Sequence, residues 1–195
     1  LFAFYGIFII FNNNEVFHIG GNRMISNKMA ERINVQINRE MYSAYLYMAM
    51  SARMTEAGYT GIGKWLMVQY HEEMFHAMKF IKYLEEQGAS LKLATITVDN
   101  LQETSVKDIF ERVYAHERGV TASIKEIMDL AVEEKDYATQ GFLAWFVDEQ
   151  IEEEKNVRDI LQSLEIMGNN QQALYMMNVE LGKRGLTSPA DFSIL

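Results

Sequence analysis

The heptapeptide Tyr70-His71-Glu72-Glu73-Met74-Phe75-His76, YHEEMFH, lies in the middle of a long run of helical periodicity. Followed at alternating spacings of three and four, that run presents Ile62, Leu66, Gln69, Glu73, His76, Phe80 and Tyr83 on one face. Glu73 and His76, at i and i+3, therefore occupy a stripe that otherwise faces a core. Burying ionisable groups without partners is costly. The meaning of the stretch depends on whether other helices break their stripes at the same depth.

Three other helical segments do. The first gives Ile33, Ile37, Glu40, Ala44, Tyr47, Ser51 and Met54. The third gives Val106, Phe110, Val113, Glu117, Val120, Ile124, Ile127 and Ala131, and the fourth Leu143, Phe146, Gln150, Glu153, Val157, Ile160 and Leu164. Each apolar seam is interrupted near its midpoint. A single glutamate in a helix is ordinarily a solvated residue, and a single core histidine is ordinarily hydrogen-bonded structure. Three carboxylates from three helices with one imidazole at a common level are a different observation. No lysine or arginine occupies the seams at that level, which leaves a metal ion as the counter-charge. Carboxylates with one imidazole and no sulfur suit iron or manganese. Glu73, with carboxylates on both sides, can bridge and so suits two metals.

Segment boundaries follow from caps and glycines. Ser26 or Asn27 opens a helix that ends near Ala57 before Gly58, and a second runs from about Gly61 to Gln87 before Gly88. Ser105, with Asp108 three positions on, opens a third to about Lys135, and Asp136 opens a fourth to about Met167. Residues 169–183 predict a short fifth helix, and residues 184–195 a tail. Each long helix spans about 45 Å at 1.5 Å per residue. Gly58-Tyr59-Thr60 is a tight turn, so helices one and two are antiparallel. The connection 89–104 reaches about 53 Å when extended, enough to cross the whole bundle and make helices two and three parallel. The expected fold is all-α: a four-helix bundle with one long crossover between helices two and three, plus a short fifth helix.

Composition excludes much. The chain has 195 residues, enough for one domain or one subunit of an assembly, and a single proline, Pro189, past the predicted helices. It has no cysteine, which removes disulfides, thiolate metal sites and cysteine nucleophiles. A net charge of −9 disfavours nucleic acid and favours cations. The segment Leu1 to Phe11, LFAFYGIFIIF, is apolar but shorter than the roughly 20 residues a membrane helix needs. No lysine or arginine precedes Arg23, so it lacks the basic start of a signal peptide. Residues 1–23 read as an extension outside the working domain, with a peripheral anchor as the alternative, and the domain is expected over 24–183.

The motifs NREMYSAYLY (38–47), YHEEMFHAMKFIKYL (70–84), YAHE (114–117) and FLAWFVDEQIEEEK (142–155) resemble those of ferritins, specifically the non-haem bacterial type, over about residues 25–183. The resemblance implies a ferroxidase centre in which Glu40, Glu73 and His76 hold a first iron. Glu73 bridges to a second iron held by Glu117, with Gln150 close by and Tyr47 beside the centre. It implies a third, inner iron site at Glu72, Glu149, Glu152 and Glu153, for which a solvated acidic face is the simpler reading of Glu149 and Glu152. Bacterioferritins carry a second Glu-x-x-His on helix four; here that run is Gln150-Ile151-Glu152-Glu153, so one imidazole and no haem are expected, and most of the 13 methionines read as core filler. The implied activity is oxidation of Fe(II) by O2 or H2O2, followed by ferric mineral storage in a shell of 24 identical subunits. The implied location is the cytoplasm, without membrane or nucleic-acid partners. Glu133, Glu134 and Asp136, at the junction of helices three and four, are pore candidates, with solvated helix ends as the simpler reading. One rival is a di-iron oxidase or peroxidase of the rubrerythrin kind, whose accessory iron centre needs four cysteines. A second is a bundle that buries carboxylates only for specificity.

Overall fold

The computed structural model describes residues 24–98, 101, 103 and 105–185; the expectations for residues 1–23 and 186–195 lie outside it. Five helices follow in order: α1 (Asn27–Glu56), α2 (Thr60–Glu86), α3 (Val106–Glu133), α4 (Tyr137–Met167) and α5 (Gln171–Leu181). Their ends are chemically specified. The Ser26 hydroxyl accepts from Met29 N, and Ser105 with Asp108 forms a reciprocal capping box. The Asp136 and Asn170 side chains cap α4 and α5. Gly58, at φ +90°, turns the chain out of α1 through a conformation that costs glycine nothing.

Side-chain contacts fix the directions. From α1 to α3 they run Ser26–Glu134, Arg32–Glu126, Gln36–Ser123 and Tyr47–Glu117, so these helices are antiparallel. From α2 to α4 they run Gln69–Glu153, His76–Glu149 and Tyr83–Thr139, again antiparallel. The connection from α2 to α3 lies along α1. Asn34 Oδ1 accepts from Lys92 N at 2.5 Å, Asn38 Oδ1 from Ala94 N at 2.7 Å, and Arg53 reaches the Glu103 carbonyl at 3.5 Å. Two α1 asparagines thus satisfy backbone groups of a segment that has no ladder of its own. The crossover traverses the bundle, and α2 and α3 run parallel, as the loop length predicts.

The core is divided. One apolar cluster fills the end containing Ile33, Phe80, Ile127 and Phe146; a second fills the other end with Met50, Leu66, Phe110 and Val157. Between them lies a buried layer of Gln36, Glu40, Gln69, Glu72, Glu73, His76, Glu117, Gln150 and Glu153. Among the described residues no helix is long and apolar enough to cross a membrane.

Candidate metal centre

Glu40 on α1 and Glu73 and His76 on α2 are 1%, 2% and 3% exposed. One ligand atom from each lies within 4.8 Å of the other two. His76 Nδ1 is 3.5 Å from Glu73 Oε2, and its ring packs edge-on to Trp145 and Phe146 from α4, at centroid separations of 5.5 and 5.8 Å. Those rings fix the plane of the imidazole. A relay from the bundle surface fixes Glu40: Arg39 donates to Ser123, Ser123 to Gln36 Oε1, and Gln36 Nε2 to Glu40 Oε1 at 2.8 Å. The other oxygen, Glu40 Oε2, has no hydrogen-bond partner, and neither has Glu73 Oε2. An unsatisfied buried polar atom costs about 1–3 kcal/mol, and these two stand beside the same imidazole.

Glu117 on α3 is fully buried, and the structure gives both of its oxygens donors. Tyr47 OH donates to Oε1, and Gln150 Nε2 to Oε2 at 3.2 Å while also reaching Thr121 Oγ1 at 3.3 Å. Tyr47 and Gln150 therefore meet at Glu117. Behind Tyr47, the ring of His116 bonds Ser43 at 2.8 Å, and burial, then the Arg112 charge, holds its pKa down at about 4. His116 is a neutral structural imidazole that the seam pattern does not single out, because it lies one position before the Glu117 stripe.

The electrostatics of the layer are those of acids crowded out of water. Burial, then the nearby Glu73 carboxylate, raises Glu40 well above the ordinary range. Burial, then Glu117, does the same for Glu73, and burial raises Glu117 despite its two donors. Burial, then Glu117 and Glu72, raises Glu153 to about 8. Burial, then the Glu117 charge, also keeps the Tyr47 phenol well above its usual value. Without a cation, burial and mutual repulsion disfavour the charged form of each of these acids. A divalent ion among them would favour the charged forms and supply partners to the two unsatisfied oxygens. The donor set of hard carboxylate oxygens and one imidazole, without sulfur, fits iron.

The candidate inner residues separate. Glu72 and Glu153 are buried in the layer, and Gln69 Nε2 donates to Glu153 Oε2 at 2.9 Å. Glu149 is a quarter exposed, with Oε1 at 3.9 Å from His76 Nε2. Glu152 is exposed, on the outer face of α4 and not in the buried layer; of the two acids with a solvated alternative, it has that character. The acids at the α3–α4 junction have local partners: Glu133 pairs with Lys28 at 3.5 Å, Glu134 accepts from Ser26 at 2.9 Å, and Asp136 caps α4.

The seams hold no lysine or arginine at this level, but a cation reaches it from beyond α5. Arg184 Nη2 donates to Glu72 Oε2 at 2.7 Å, Nη1 donates to Gln69 Oε1, and the guanidinium lies 4.9 Å from the Trp65 ring. Residue 184 is therefore packed into the bundle. Helical periodicity accounts only for side chains projected by the helices themselves, so an arginine delivered by a turn after α5 escapes it.

This architecture and layer define a carboxylate-rich helical bundle, and comparison with known proteins gives the family. Residues 30–167 match the ferritin-like domain of the ferritin family. A probable bacterial non-heme ferritin-like protein of Haemophilus influenzae is 37% identical over 159 residues, covering 82% of this chain and 96% of the relative. A bacterial non-heme ferritin of Staphylococcus aureus is 34% identical over 161 residues, covering 83% and 97%. Among solved structures, an open pore ferritin from the hyperthermophilic archaeon Archaeoglobus fulgidus superimposes with a TM-score of 0.82 at 41% identity, covering 84% of this chain and 99% of that one. A form of the Archaeoglobus fulgidus ferritin engineered to be closed gives a TM-score of 0.82 at 42% identity over 84% and 99%. The chain belongs to the ferritin family.

Proposed function

We propose that this protein oxidises Fe(II) to Fe(III) at the Glu40–Glu73–His76–Glu117 cluster and stores the product as a hydrated ferric mineral inside a shell of its own copies. The observation that carries this reading is the pair of buried, partnerless oxygens, Glu40 Oε2 and Glu73 Oε2, beside the His76 imidazole. Glu40 and His76 would serve one iron, Glu117 a second, and Glu73 both. Carboxylates stabilise Fe(III) relative to Fe(II) and can shift between bridging and terminal modes as the charge changes. Each of two Fe(II) ions gives up one electron. O2 accepts the pair and two protons to become H2O2, or H2O2 accepts it and is cleaved to two hydroxides. Gln150 and Tyr47 position Glu117 in this scheme, and Tyr47 stays protonated because burial and its carboxylate neighbours oppose the phenolate.

Family likeness supports a shell of 24 subunits located in the cytoplasm, with the net charge of −9 drawing cations to it. The test is aerobic addition of Fe(II) to the purified protein, followed by Fe(III) absorbance and electron microscopy. Rapid oxidation with electron-dense cores in hollow particles is the expected result. Oxidation no faster than in buffer removes the ferroxidase reading, and particles without cores remove the storage reading.

A further inference from the structure

Arg184 reaches the carboxylate layer through a latch that holds α5 against the start of α2. Asn178 Oδ1 on α5 accepts from Gly61 N at 2.9 Å and Ile62 N at 3.0 Å, so it satisfies two backbone donors that open α2. Glycines make the approach possible: a Cβ on Gly61 would lie 1.8 Å from the Asn178 carbonyl oxygen, and one on Gly182 would lie 2.9 Å from Gly61 Cα. Two residues beyond Gly182, the Arg184 guanidinium lies against Trp65 and meets Gln69 and Glu72 on the same helix. The Gln69 amide is used at both ends, since its oxygen accepts from Arg184 and its nitrogen donates to Glu153 Oε2. Arg184 thus engages Glu72 directly and Glu153 through Gln69.

We propose that Arg184 is a built-in cation that fills the inner part of the carboxylate layer and confines tight metal binding to the Glu40–Glu73–His76–Glu117 cluster. The inference rests on the proposed di-metal reading of that cluster and narrows it. The contrast in partners supports it: Glu40 and Glu73 each keep a bare oxygen, whereas Glu72 Oε2 and Glu153 Oε2 are taken. A metal ion at Glu72 must expel a guanidinium that is held by a charge-assisted bond, an aromatic face and a docked helix. It must also rotate Gln69, which breaks the donor to Glu153. Arg184 acts as a positioning and specificity-determining residue and touches no reacting atom.

The test is anaerobic titration of full-length protein with Co(II), read by its visible absorbance and by calorimetry. Arg184→Ala is expected to take up one more Co(II) per subunit than wild type, and Arg184→Lys, which keeps the charge, to match wild type. Adding Glu72→Gln to Arg184→Ala should abolish the extra ion. Glu72→Gln alone, which leaves Arg184 and α5 in place, should bind as many ions as wild type; loss of an ion there overturns the proposal without relying on the folding of the alanine variant. Equal uptake by wild type and Arg184→Ala, with wild type binding normally, also overturns it. No tight binding by wild type removes the di-metal reading itself.

Discussion

Glu40 on α1 and Glu73 on α2 share one buried layer, and each keeps Oε2 without a hydrogen-bond partner beside His76. Both carboxyls are raised well above the ordinary range, by burial first and by a neighbouring carboxylate second. An arrangement that weakens the empty bundle and has an obvious remedy in a cation is how function is stored against stability. Glu73→Gln should therefore slow initial Fe(II) oxidation at least tenfold while raising the stability of the metal-free protein by about 1–2 kcal/mol. Stopped-flow absorbance and denaturant melts of one preparation measure both; an unchanged oxidation rate refutes the bridging role. His76→Ala should lose the rapid phase too, with helical content retained.

The pH dependence has a definite sign. Glu153 rises from an ordinary 4.5 to about 8 in the folded protein, because of burial and then Glu117 and Glu72. A group raised on folding contributes stability that is complete below the unfolded value and is lost as pH rises through the folded one. The metal-free protein should accordingly lose on the order of a few kcal/mol between pH 5 and 8, and Glu153→Gln should shrink that loss. Metal binding should release protons at pH 7, measurable as a calorimetric heat that depends on the ionisation enthalpy of the buffer.

Glu149 and Glu152 should behave differently from one another. Glu149 Oε1 lies 3.9 Å from His76 Nε2, whereas Glu152 is exposed. Glu152→Ala is expected to reproduce wild-type oxidation through many irons per subunit. Glu149→Ala should leave the first turnover intact and change later ones, seen as an altered ratio of oxidant consumed to iron oxidised.

Much of this was legible from periodicity. Every residue of the four seams, from Ile33 to Leu164, is buried, and the polar interruptions of the seams meet in one layer, where Tyr47 bonds Glu117 and Gln69 bonds Glu153. Caps were equally legible, since Ser26, Ser105 and Asp136 bond the backbone at the positions their chemistry suggests. What escaped lies off the seams. Gln36 and Ser123 support Glu40 from positions flanking the stripes, His116 sits one residue before Glu117, and Arg184 arrives from a turn. These contacts depend on how neighbouring helices are rotated and where α5 docks, which one-helix patterns do not encode.

The working bundle is expected to start at Met24. Its N–H donates to the Gln87 carbonyl at 3.2 Å, Ile25 is buried, and Ser26 caps α1, so the first residues described already bond to the fold. A chain beginning at Met24 should assemble and oxidise Fe(II) as the full chain does. Light scattering and initial rates check this, and failure to assemble would make residues 1–23 part of the working protein.

The α5 latch gives the last prediction. Asn178→Ala removes the side chain that serves both Gly61 N and Ile62 N, and an N-terminal cap of this kind is worth about 1–2 kcal/mol. Gly61→Ala should be the harsher change, because its methyl group would lie 1.8 Å from a backbone oxygen that cannot swing aside. The four-helix core makes none of its apolar clusters depend on residue 61, so both variants should stay helical. Their loss should be local: α5 loosens, Arg184 withdraws from Trp65, and tryptophan emission shifts to the red as the ring gains water. Trp145 also emits, so the comparison belongs in a Trp145→Phe background. Circular dichroism that collapses together with the emission change would show that α5 is integral to the bundle and not a latched addition to it.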